Sequence, residues 1–268
     1  MWCDAGVARR SDLAEFLRAR RAAISPEQAG LVPGGRRRTP GLRREEVALL
    51  AGVSVSWYTW LEQGRPINVS VEVLDSLSRV LRLDPVEQAY VADLAGHPAP
   101  RPDHWDPHPD VPTWAHHLLV ALGPAPAYVL GPSWDYLAWN TAQADLFPPL
   151  TTLAPRDRNL VWAMFAVPET RDLLVDWEND ARQVLSQFRA ETTAIRDEPE
   201  VAAMIERLCG TSPEFDAWWG RQDVATFTSR RRRFRHSVLG TLEFEYQQLV
   251  VAGAPDLRIV VQLPVDPE

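Results

Sequence analysis

Apolar positions recur every three or four residues through most of the first hundred residues, the spacing of helices that each bury one face. The clearest stripe is Val71, Leu74, Leu77, Val80 and Leu81, behind Ser70 as an N-cap. The same reading predicts four more helices around it. Ser11 or Asp12 caps the first, which extends to about Arg21. The second runs from about Arg43 to Ala51 and stops at Gly52. Ser54 caps the third, which stops at Gly64, and Asp84 followed by Pro85 opens the fifth. Between the first and second helices lies SPEQAGLVPGGRRRTPG. A connection of that length in a compact domain tends to carry a function.

The pattern changes after GHPAPRPDHWDPHPDVP, whose six prolines preclude a regular helix. PAYVLG and WDYLAWN alternate as the two arms of a hairpin around 131–133. Leu173, Leu174, Trp177, Ala181, Val184, Leu185, Phe188 and Ile195 keep helical spacing and predict one long amphipathic helix. Shorter helices follow near 199–209 and 213–221. DVATFTSRRRRFRH, GTLEFEYQQLVVAG and LRIVVQLP then read as strands, with turns at Gly240 and 252–255. The expected architecture is an all-α five-helix domain at 1–97, a Pro-rich linker at 98–112, and an α+β domain at 113–268. The latter carries an antiparallel sheet of about five strands with helices on one face.

The composition narrows the classes. At 268 residues and 46 % hydrophobic, the chain has material for two real cores. It has no apolar run long enough to span a bilayer and no signal-like start, so no membrane partner is expected. Two cysteines, Cys3 and Cys209, without metal-type spacing suit a reducing cytoplasm. No metal or cofactor set stands out. His104 and His108, like His116 and His117, lack ligand spacing and read as solvated loop or helix residues. Charge is uneven. Residues 1–97 hold 13 Arg against 12 acids, residues 98–268 hold 15 against 24, and residues 9–44 hold 10 against 3. A local excess of +7 in an acidic chain marks one basic face.

That face includes LRREEVALLAGVSVSWYTWLEQGR, two short helices joined at a glycine, the plan of a helix-turn-helix. Ala48 permits close crossing, and Gly52 supplies the turn. Val53, Tyr58 and Leu61 project inward. Ser56, Thr59, Trp60 and Gln63 project outward, with Val55 and Trp57 on the flanks. Arg43 and Arg44 stand in a first helical turn, where cations are disfavoured unless an anion such as phosphate is near. Arg36, Arg37 and Arg38 can reach the same backbone. The expected DNA-contacting set is these five arginines with Ser54, Ser56, Trp57, Thr59, Trp60 and Arg65. Glu62 is expected to serve the fold, pairing with Arg21 or Arg18.

EEVALLAGVSVSWYTWLEQGR resembles the helix-turn-helix of the XRE (phage-repressor-like) family, through Ala48, the Gly-Val-Ser turn at 52–54 and the Leu-Glu-x-Gly ending at 61–64. With GRRRTPGLRREEVA, and with WDYLAWN, FDAWWGRQDV and FRHSVLGTLEFEYQQL further on, the chain resembles the MmyB-like transcription regulators. That resemblance implies a PAS-like second domain with a fatty acid as ligand. One departure is Ser237 after His236, where a Pro is expected.

Tyr136, Trp162, Phe165, Leu185, Phe188 and Phe244 are the expected apolar walls of such a pocket, between sheet and helical insert. Arg189 or His236 is the expected donor to a carboxylate at its mouth. The run at 230–233 with Arg235 would split between the two faces of a strand, and part of it should pair with acids of its own domain. His236 has no matched nucleophile and carboxylate. The expectation is a cytoplasmic, non-enzymatic regulator that binds double-stranded operator DNA as a homodimer and senses a hydrophobic small molecule. An adaptor whose second domain binds only protein is one alternative. An enzyme acting on an apolar substrate is the other.

Overall fold

The computed structural model describes residues 3–31, 41–97, 106, 108–221, 223–225, 227–236, 238–252 and 254–265. Most of the Pro-rich stretch, Ser237, and the arginines Arg36, Arg37 and Arg38 therefore lie outside the described residues.

The chain divides into two compact units. The first comprises Met1–Arg101, Arg189–Asp197 and Ala217–Ala225; the second comprises Pro102–Phe188, Glu198–Asp216 and Thr226–Glu268. In the first unit the helices are α1 (Cys3–Ala23), α2 (Arg44–Ala51), α3 (Val55–Glu62), α4 (Val71–Val80) and α5 (Pro85–Leu94). Three caps stand where the sequence put them. Ser54 accepts from Trp57 N, Ser70 from Val73 N, and Asp84 from Val86 N and Glu87 N. The start of α1 does not. Ser11 and Asp12 lie inside a helix that begins eight or more positions earlier. Asp12 is buried and paired with Arg196, so its carboxylate serves the tertiary structure rather than a helix end. The core of this unit is closed by Phe16, Leu17, Val47, Ala48, Tyr58 and Leu77, all essentially inaccessible.

The second unit contains α6 (Thr113–Ala121), β1 (Ala127–Leu130), β2 (Tyr136–Trp139), α7 (Thr141–Leu146), α8 (Pro149–Thr152), α9 (Leu160–Ala166) and α10 (Pro168–Leu173). It continues with most of α11 (Trp177–Thr192), then α12 (Pro199–Thr211), most of α13 (Pro213–Trp219), β3 (Arg230–His236), β4 (Gly240–Val251) and β5 (Ala254–Pro264). The five strands form one antiparallel sheet in the order β2-β1-β5-β4-β3.

The long helix expected across 173–195 is broken. Leu174 leaves α10 to bridge Phe234, Val175 N donates to Arg233 O, and α11 starts only at Trp177. Ile195 falls in a separate 3-10 turn. The strand expected from 223 begins only at Arg230. No helix among the described residues is long and apolar enough to cross a membrane.

Candidate functional site

The helix-turn-helix is built by local chemistry. Gly52 takes φ +72°, a left-handed value that suits glycine, and its N–H and that of Val53 close α2 on Leu49 O and Ala48 O. Ala48 is fully buried where α2 must approach α3. Behind the turn, Glu62 is 1 % exposed and acts as a clasp. Arg21 Nε donates to its Oε1 at 2.5 Å and Arg21 Nη2 to its Oε2 at 3.2 Å; Arg44 Nε donates to Oε2 at 2.6 Å. Arg21 Nη1 also holds Leu42 O at 2.8 Å. Of the two partners proposed for Glu62, Arg21 is the one found. Arg18 turns its Nε to Ala14 O instead. Burial pushes the Glu62 carboxyl up, but the bonds from Arg21 and Arg44 outweigh it and hold the group below the usual carboxylate range.

On the opposite side of α3, Ser54, Val55, Ser56, Trp60, Gln63 and Arg65 are exposed. Thr59 is half-buried with its hydroxyl donating to Val55 O at 2.7 Å. Trp57 is half-buried and packs on the unit's core. Arg65 lies 5.6 Å from the Trp60 ring. Arg43 is exposed, and its side chain makes no ion pair among the described residues. Arg44 divides its role, since its Nε belongs to Glu62 while the side chain remains 44 % exposed. The result is a short helix that presents hydroxyl, amide, indole and guanidinium groups on one side and is anchored by apolar and ionic contacts on the other.

The second unit has an inner cavity between the sheet and α7, α9 and α10. All five strands reach it, through Tyr128, Tyr136, Arg232, Tyr246 and Gln262 among others. Its volume is about 50 Å³, enough for ordered water and not for an acyl chain. Two wider clefts adjoin it on the outside, of about 500 and 940 Å³. Leu146 lines all three spaces, and Phe147 and Leu173 line the inner cavity and the smaller cleft.

Of the expected wall residues, Tyr136 lines the inner cavity, and Phe244 lines the larger cleft while packing on Phe234 at 5.6 Å. The rest stand elsewhere. Phe165 packs edge-on to Phe215 and Trp177, and Phe188 to Trp134. Leu185 is buried on α11, and Trp162 lies under Arg207 at 4.0 Å. Arg189 belongs to the first unit, with its guanidinium 4.3 Å over Trp219 and a bond to the Trp219 carbonyl. His236 lines the two outer clefts, where its Nδ1 accepts from Val238 N and Leu239 N at 3.2 and 3.1 Å.

The polar residues inside the cavity were not anticipated. Arg232 on β3, Tyr246 on β4 and Gln262 on β5 line it together, and Tyr246 and Gln262 stand opposite one another in register. The Tyr128 and Tyr246 hydroxyls are 2.5 Å apart, and Gln262 Nε2 donates to Gln143 at 2.7 Å. Burial first, then the neighbouring tyrosines, push the Tyr128 phenol well above its ordinary value, so it stays neutral. The signal that could have found Arg232 is its alternation with Phe234, which puts both on the buried face. Arg231, Arg233 and Arg235 take the exposed face, where Arg231 meets Glu243 and Arg235 caps the carbonyls of Leu174 and Val175.

A helix-turn-helix with an exposed polar face, joined to an α+β unit with an internal cavity, defines a DNA-binding regulator that carries a ligand-binding domain. Residues 12–91 match the helix-turn-helix domain family. Residues 111–268 match the MmyB-like transcription regulator ligand binding domain. The chain belongs to the MmyB-like transcription regulators. No curated protein matches it.

Proposed function

We propose that this chain is a one-component regulator working in the cytoplasm. A homodimer would place α3 of each copy in successive major grooves of an operator, with half-sites about one helical turn apart. Arg43 would fix register on phosphate while Ser56, Trp60 and Gln63 meet base edges. The second unit would sense an apolar small molecule with an acid head, a fatty acid in the reading that the resemblance suggests. Ligand binding would shift the population between DNA-competent and incompetent states.

The observation that carries the proposal is the one-sided chemistry of α3, buried and clasped behind, polar and aromatic in front. The test is affinity for a selected operator fragment, measured by fluorescence anisotropy with and without decanoic acid. A ligand-dependent change in affinity supports the reading. Operator binding that never responds to any aliphatic acid favours the adaptor, in which the second unit only contacts protein. The small inner volume is the feature on that side, because an acyl chain fits only if it extends into the outer clefts or parts the helices from the sheet.

A further inference from the structure

Arg232 is 5 % exposed and lines the inner cavity. Its Nε lies 3.0 Å from Asp180 Oδ1, and its guanidinium stacks 4.1 Å from the Tyr246 ring. Its Nη2 has no hydrogen-bond partner among the described residues, nor does Oε1 of Gln262 on the same wall. Asp180, itself buried, also serves Arg230 at 3.5 Å. Two guanidiniums thus share one buried carboxylate, and the next acid, Asp176, is exposed. Among the described residues no acid lines the cavity, and its other polar walls are the neutral Tyr128, Tyr136, Tyr246, Gln143, Thr170 and Gln262. Crowding is visible in Arg230, whose pKa is pushed down to about 10 by burial first and then by Arg232. A buried guanidinium that shares its counter-ion and keeps a free N–H is costly unless an anion completes it, and the planar fork of Arg matches a carboxylate.

We propose that Arg232 is the head-group anchor of an amphiphilic carboxylate. The acid enters the inner cavity head first and competes with Asp180 for the guanidinium. Its apolar body trails outward past Leu146, Phe147 and Leu173 into the adjoining cleft. The orientation is the reverse of one with the acid at the mouth, and it fits a chamber too small for a tail but large enough for a carboxylate in place of water. The proposal rests on the small-molecule sensing reading.

The experiment compares decanoic acid with decan-1-ol on the full-length chain by isothermal titration calorimetry, with melting curves as the folding control. The acid should bind at least tenfold tighter than the alcohol. Arg232→Met should erase that advantage, and Arg232→Lys should keep part of it. Asp180→Asn, which removes the competitor, should widen it several-fold and decides the matter if Arg232→Met fails to fold. Equal binding of acid and alcohol, unaffected by these changes, overturns the anchor and leaves apolar sensing standing. Binding of neither overturns both.

Discussion

Replacing Glu62 by Ala should destabilise the first unit. The side chain is buried and accepts two bonds from Arg21 and one from Arg44. Its loss strands the Arg21 guanidinium, 17 % exposed, which keeps its bond to Leu42 O but loses its carboxylate. Removing one member of a buried pair costs about 3–5 kcal/mol. Arg21 is not fully enclosed and Arg44 is nearly half exposed, so water recovers part of that, and about 2–4 kcal/mol is the expected loss. For a unit of this size the melting temperature should fall by roughly 10 °C or more. The folded carboxyl titrates below its ordinary value. Its contribution is therefore present above that ordinary value and lost as pH falls through the folded one, so wild type and Glu62→Ala should converge in acid. Circular dichroism melts across pH, with Arg21→Ala and the double variant, read the coupling directly. A melting point within a degree or two of wild type at neutral pH would refute the clasp.

Arg43→Ala should weaken binding to all duplexes alike and flatten the salt dependence by about 0.9 in slope for each phosphate that Arg43 neutralises, whereas Ser56→Ala should change preference between sequences; anisotropy titrations over a salt series separate the two. Gly52→Ala meets no atom within 4 Å, so its cost is the left-handed backbone alone, about 1 kcal/mol in chemical denaturation. Ala163→Leu should fill the inner cavity and abolish the response to decanoic acid while operator affinity without ligand holds; an intact response would move the site elsewhere.

Much of the first unit was legible because its signals are local. Ser54, Ser70 and Asp84 act on N–H groups two or three residues away, and Gly52 acts on its own φ. Asp12 misled because a capping residue type can also be a buried ion-pair partner, and Arg196 is far away in sequence. The apolar rhythm from Leu173 to Ile195 ran unbroken through a real break, since both α10 and α11 turn apolar faces inward while the interruption at Leu174 is set by Phe234. The cavity was the least legible part. Aromatic side chains suit the walls of an apolar pocket, but Phe165 and Phe188 pack on other aromatics. Tyr246 and Gln262 meet on the cavity wall only through strand register, which no single segment reveals.

The place of β5 in the sheet has a consequence for how the chain is made. It lies between β1 and β4, so the middle strand is the last one synthesised. A growing chain can pair β1 with β2 and β3 with β4, but each pair keeps an open edge until the final segment arrives. The turn between α2 and α3 is local and needs no such wait. A stop codon shortly before Leu257 would spare every residue of α3 and deprive the sheet of its centre. On the reading proposed above, such a lesion removes the sensor and leaves the reader of DNA.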